Sequence, residues 1–440
     1  MTALRVANFR RLWLAGLVSD TGDWALLAAL PILVYQLTGS TVGTAAAFLV
    51  ELVPPVLLAP VAGRVADRYE RRRTLVVVSL LQAVALTPLL FVHDRSDLAI
   101  VYAVIAVESA LAAIFDPTKN ALLPTLVDAD RLVSANSLIG LNQNIGRLVG
   151  APLGGVLLVL GAHATGGLDA IVAVDAASFF AAVALLSRLV SVPAAPKPMH
   201  DGDRASPQWR AVLRPRVIRG GLAVIFTSSI AQGLFVVLYV VFVARALHGD
   251  AAEIGLLRGV QAVGAIAGGL LLAVVGRIAP GRLTALAATL FGVLDLAIWN
   301  APRLSTAVPI YVVLFIAAGV PGIAMVTGLL TLLQTATSDG QRGTVFAAFG
   351  VAASAGQAIG MIGGGLLGDR LGVIAVLNVQ GALYLLAGAI ASVWLTGRLV
   401  GAPIPAAPPA TSALVGAEFG ADVGVDLRVA DGSDAAGPRA

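Results

Sequence analysis

Apolar residues in this chain neither alternate nor recur with the period of a surface helix. They run together in stretches of about twenty, separated by short polar turns, and that is the length a helix needs to cross the hydrocarbon of a bilayer. Cutting at the polar turns predicts twelve helices, over 11–37, 41–62, 74–92, 98–116, 135–161, 168–189, 218–246, 253–275, 282–300, 306–334, 343–367 and 373–397. The sharpest turn is Gly63-Arg64-Val65-Ala66-Asp67-Arg68-Tyr69-Glu70-Arg71-Arg72-Arg73, in which seven of eleven residues are charged. A block this polar cannot lie in hydrocarbon, so it predicts a tight aqueous turn between helices two and three.

Composition agrees with the pattern. At 58% hydrophobic and 12% charged residues, with a mean hydropathy of +0.90, the chain lies outside the soluble range, where about a quarter of residues are charged. The expected fold class is an all-α membrane protein. An even helix count puts both termini on one side, and Arg5, Arg10 and Arg11 assign that side to the cytoplasm. Lys and Arg follow the same topology: only Arg95, Arg245, Arg303 and Arg370 fall in predicted outer loops or outer helix ends, and only Arg147 and Arg258 deep inside predicted helices. The net charge of +4 is spread over short loops without interleaved aromatics, which argues against nucleic acid as a partner. No cysteine is present, which excludes disulfides, thiolate metal sites and Cys nucleophiles.

An internal repeat divides the chain. Gly146, Gly150 and Gly154 recur as Gly356, Gly360 and Gly364 at an offset of about 210, and Gly43 and Gly63 recur as Gly255 and Gly276 at nearly the same offset. Six helices separate the copies, so both halves have the same orientation. The expected organisation is an N-terminal six-helix half over 1–191, a Pro-rich cytoplasmic linker over 192–216, a C-terminal half over 217–399 and a disordered Ala/Gly/Pro tail over 400–440.

Charges inside helices are costly in lipid and mark cavities or partners. Asp23 and Asp20 fall near the middle of the first helix, Glu51 before Pro54-Pro55 in the second, Glu108 midway along the fourth and Arg147 near the middle of the fifth. Their similar depth predicts a buried polar cluster in the N-terminal half. It reads either as proton-coupling or substrate-handling machinery or as a static ion-paired network. Asp175 and Asp295 are weaker candidates of the same kind. The C-terminal half offers Arg258, Gln232, Gln261, Gln357 and Gln380 with Phe235, Tyr239, Trp299, Phe346, Phe349 and Tyr384, a wall suited to a bulky amphiphile, a cationic one included. Gly146, Gly150, Pro152, Gly154 and Gly155 predict close helix packing, with an approach across the interface between halves.

Gly63, Asp67, Arg68, Arg71 and Arg72 match the signature loop of the major facilitator superfamily, with Val65 and Glu70 as departures. The resemblance implies that Asp67 and its arginines latch one conformational state. Gly146 to Gly155 resembles the antiporter motif of that superfamily, with the proline shifted to Pro152. Asn8-Phe9-Arg10-Arg11-Leu12-Trp13, Gly22-Asp23 and the stretch from Phe115 to Pro124 are similar to the efflux branch that holds macrolide efflux pumps and the enterobactin exporter.

The resemblance implies a secondary transporter of the cell membrane, exporting a drug-like or siderophore-like amphiphile by proton antiport with alternating access. The alternative is an uptake symporter or a facilitator. Partners are then a small-molecule substrate, protons and the lipid bilayer, and one copy suffices. No cofactor, metal or catalytic residue is expected, because His93, His163, His200 and His248 all fall in loops and no Gly-x-x-x-x-Gly-Lys-Ser/Thr nucleotide loop occurs.

Overall fold

The computed structural model describes residues 3–128, 131–161, 167–189, 212–275, 278–337 and 339–396. These hold twelve helical segments long and apolar enough to span a bilayer: α1 (Ala7–Thr38), α2 (Thr41–Arg68), α3 (Arg71–Ala85, its span completed by the 3-10 turn Thr87–Phe91), α4 (Leu98–Leu126), α5 (Leu132–Gly161), α6 (Gly167–Leu186), α7 (Arg216–Ala246), α8 (Ala251–Val275), α9 (Pro280–Asn300), α10 (Val308–Ala336), α11 (Asp339–Leu371) and α12 (Val373–Trp394). Most of the expected linker and the whole expected tail, like Gly276, lie outside the described residues.

Helix ends depart from the sequence expectation where polar residues follow the apolar run. α2 continues to Arg68 and α3 begins at Arg71, so the polar block is mostly two helix ends joined through Tyr69 and Glu70. α4 runs through Pro117 to Leu126, ten residues past its expected end, which places Lys119 inside a helix instead of a loop. A helix that carries on beyond the apolar layer keeps its backbone groups bonded, and hydropathy does not register those turns.

The packing is asymmetric between the two ends of the bundle. At the end bearing the α1–α2 and α7–α8 turns, one apolar core draws on both halves and includes Leu30, Phe48, Phe242, Ile254, Trp299 and Met361. At the other end there are two separate cores. Phe9, Leu75, Leu122 and Leu186 belong to the N-terminal half, and Val224, Leu283, Leu329 and Ala391 to the C-terminal half. The halves are therefore fused at one end and parted at the other.

Two seams make the closed end. In one, a Cβ on Gly155 of α5 would collide with Ala251 O of α8, and one on Gly255 of α8 with Ala151 O of α5. In the other, Gly365 of α11 lies against Ala45 of α2, where a Cβ would stand 2.6 Å from the Ala45 side chain. Gly155 and Gly365 share the repeat offset, so the seams are copies of one another. The second carries a polar latch. Arg245 at the end of α7 reaches Asp369 Oδ1 of α11 at 2.9 Å, Tyr35 Oη at 2.6 Å and Gly39 O at 2.8 Å. Gly39 ends α1 at a φ of 62°, a left-handed turn that frees its carbonyl for Arg245. The other Asp369 oxygen accepts from Thr41 N at 3.0 Å and Thr41 Oγ1 at 2.8 Å, so an acid of one half caps the first turn of α2 in the other. This latch was not read from the sequence, where Arg245 stood at an outer helix end.

Candidate functional site

At the middle of the helices, walled mostly by the C-terminal half and reached from the N-terminal half by Arg147, lies a cavity of about 670 Å³ of non-atom space, counted out to solvent. Its charged lining is Arg147 of α5, Arg258 of α8 and Asp295 of α9, with Gln232, Gln261 and Gln380 and the faces of Phe235 and Phe291. A second, smaller space is bounded by Trp24, Phe48, Tyr239 and again Arg258. Arg147 stacks over Trp24 at 5.9 Å and Arg258 over Phe235 at 5.3 Å, which holds both guanidinium groups against aromatic faces. Arg258 Nη1 also donates to Gln261 Oε1 at 3.2 Å.

Asp295, only a weak candidate by sequence, sits in a built network. Gln380 Nε2 donates to its Oδ2 at 2.6 Å, and Trp299 Nε1 donates to Gln380 Oε1 at 2.8 Å. Trp299 in turn meets Phe242 edge to face at 4.9 Å, so the acid is tied to the aromatic core of the C-terminal half. Tyr384 donates to Gln232 at 3.3 Å on the same wall. Phe346 and Phe349 pack with the apolar core at the parted end of this half and are not among the residues lining the cavity.

The expected N-terminal cluster divides among four places. Asp23 has Asp175, Asp20 and Glu108 as electrostatic neighbours and accepts weakly from Ser19 at 3.4 Å. Asp175 is fully buried and accepts from Ser178 at 3.2 Å, while Gln82 of α3 lies against the Glu108 carboxyl. Gly22 makes this possible, because a Cβ there would collide with Asp175 and Ser178 and hold α1 off α6. The acid group of the N-terminal half is thus Asp23, Glu108 and Asp175, drawn from α1, α4 and α6.

Arg147 is not among the acids and faces the central cavity instead. Glu51 is likewise separate, since its electrostatic partner is Arg258 across the interface. Asp20 belongs with Lys119 and Asp116. Lys119 Nζ bonds Asp116 Oδ1 at 2.8 Å and lies over Phe115 at 5.5 Å, with its side chain 8% exposed against 54% for Asp116. Depth along a helix was legible in the sequence. The face that each residue presents was not.

Lys119→Met leaves Asp20 buried without this cation and is expected to lower stability by about 1–3 kcal/mol. Asp116→Asn is expected to cost less, because Asp116 remains half in solvent. Melting of the purified protein in detergent measures both, and an equal loss in the two variants contradicts the assignment.

The glycine stripe of α5 packs within its own half, contrary to the expected approach between halves. Gly146 lies on Asp20, Gly150 on Thr21 and Gly154 on Ala25, all of α1. The neighbouring face does cross the interface: Gly155 meets Ala251, and Pro152 meets Gly259 of α8. The repeat copy, Gly356, Gly360 and Gly364, packs on Phe226, Ile230 and Leu234 of α7 in the same manner. In the polar block, Arg72 donates to Leu189 O at 3.1 Å and pairs with Glu70 at 3.3 Å, both in the N-terminal half. Gly63, Arg68 and Arg71 flank it, and a Cβ on Gly63 would meet nothing within 4 Å. The Asp67 side chain lies outside the described residues.

The sequence profile of the Major Facilitator Superfamily matches residues 12–241 and again 221–423, one match for each half. The chain belongs to that superfamily. It is a multi-pass membrane transporter and not an enzyme. Among curated proteins it is similar to the multidrug efflux pump Tap of Mycolicibacterium fortuitum, 26% identical over 401 residues that cover 86% of this chain and 93% of Tap. It is also similar to the enterobactin exporter EntS of Citrobacter koseri, 26% identical over 386 residues covering 85% and 88%. Among solved structures, a bacterial homologue of the iron transporter ferroportin in an inward-facing state shares the fold at a TM-score of 0.69 and 18% identity, covering 90% of this chain and 99% of that one.

Proposed function

We propose that this major facilitator protein exports a drug-like or siderophore-like amphiphile across the cytoplasmic membrane by proton antiport. Both termini are cytoplasmic on this reading, so the fused end of the bundle is the outer end and the conformation is inward-facing. The two halves, 1–191 and 217–399, rock about the central cavity on the 192–216 linker, leaving the 400–440 tail in the cytoplasm. The observation that carries the reading is the shared core at one end and the split core at the other, with a charged and aromatic cavity between them. Tap and EntS, both named for export, support the direction.

Asp23, Glu108 and Asp175 are the proton-binding group on this reading. Carboxyls held together in a bundle away from water gain and lose protons as the helices around them shift. Gly63, Asp67, Arg68, Arg71 and Arg72 latch the cytoplasmic ends once the cavity opens outward.

The test is efflux of a panel of fluorescent amphiphiles from cells carrying the wild type or Glu108→Gln, with and without an uncoupler. Export that stops with the uncoupler and falls at least tenfold in Glu108→Gln agrees with antiport. Export untouched by either indicates a facilitator, and uncoupler-sensitive accumulation indicates an uptake symporter.

A further inference from the structure

We propose that the central cavity takes its substrate by an anionic group, a carboxylate or similar oxyanion held between Arg147 and Arg258. An aromatic or apolar body then lies against Phe235 and Phe291. This rests on the export reading and narrows its substrate class, away from the cation that the sequence suggested.

The charge of the cavity decides the sign. Two guanidinium groups line it against one carboxylate, Asp295, and that carboxylate is 3% exposed with Oδ2 bonded to Gln380. The acids that would draw a cation lie elsewhere: Asp23, Glu108 and Asp175 group within the N-terminal half and are not among the residues lining the cavity. A cation entering here meets two like charges. An oxyanion meets planar donors suited to paired hydrogen bonds.

The two arginines also come from opposite halves, Arg147 on α5 and Arg258 on α8. One anionic group bridging them engages both halves at once, as a transported substrate must if its binding is to bias their arrangement. Glu51 of α2 already acts on Arg258 electrostatically. The interior-negative potential of a cell also drives an anion outward.

The test is binding to the purified full-length protein of three probes built on one scaffold: dansyl-phenylalanine, its primary amide and a conjugate ending in trimethylammonium. Energy transfer from protein tryptophan to dansyl reports occupancy, with Trp24 beside Arg147. The carboxylate is expected to bind at least tenfold tighter than the amide, with the ammonium weakest. Arg147→Gln and Arg258→Gln should each remove that preference while still binding the amide, and Arg258→Lys should keep part of it. Equal binding of the three probes by the wild type, or tighter binding of the ammonium, overturns the proposal whatever the variants do. Arginine-dependent binding of the carboxylate without its export from cells leaves this assignment standing and refutes the export reading instead.

Discussion

In a chain carrying Ala251→Cys, Asp369→Ala is expected to raise labelling by a membrane-impermeant maleimide about thirtyfold, the equivalent of about 2 kcal/mol. The cysteine would be the protein's own single thiol, since the sequence has none, and Ala251 is 2% exposed at the seam with Gly155. Asp369 holds the closed end by pairing with Arg245 and by capping α2 through Thr41. Removing it leaves Arg245 facing Tyr35 and Gly39 without a counter-charge and leaves the first turn of α2 without its acid. The pair is partly exposed, with side chains 44% and 37% accessible, which keeps the expected effect below that of a buried pair. Arg245→Met should act in the same direction. A cysteine at Leu304, 92% exposed, should label at one rate in all backgrounds. If Asp369→Ala leaves the Ala251→Cys rate unchanged, the latch does not hold the closed end.

Gly360→Ala is expected to lower the stability of the purified protein by about 3 kcal/mol, at the upper end of what overpacking costs. A Cβ there would stand under 3.0 Å from Ile230 O and from Gly233 Cα, both backbone of α7, where no side chain can rotate away. α7 is the helix on which this matters most, with 83% of its apolar central stretch buried against 28% for that of α2. Gly363→Ala, one turn along, is the control: its nearest neighbour would be a Leu234 methyl at 3.7 Å, so little change is expected. Equal melting temperatures for the two variants contradict the backbone contact between α7 and α11.

These glycines show what a sequence of this kind makes legible. Their repeat at an offset of about 210 signalled two like halves, and the structure repeats the packing itself, with α5 on α1 and α11 on α7. The number and order of the helices followed from apolar runs of spanning length. Facing did not follow, because lipid-facing and core-facing positions of a membrane helix are equally apolar and no periodic stripe separates them. Arg147 and Asp23 were therefore placed together by depth, although one lies toward the cavity and the other toward α6. Lys119 was lost for another reason: polar residues after Phe115 looked like the end of a helix that in fact runs ten residues further. The latch pairs residues 124 positions apart, and nothing local in the sequence marks Arg245 or Asp369 as partners.

The central claim is that the halves alternate between a closed and an open outer end under the control of the acids in the N-terminal half. Spin labels on Val42→Cys and Leu371→Cys test it most directly, since both positions are exposed and lie across the polar seam at the ends of α2 and α11. Double electron–electron resonance on the reconstituted protein should resolve a short and a long distance whose proportions shift between pH 5 and pH 8, with the shift flattened in Glu108→Gln. A single distance at both pH values, or a shift that survives Glu108→Gln together with Asp23→Asn and Asp175→Asn, contradicts the account.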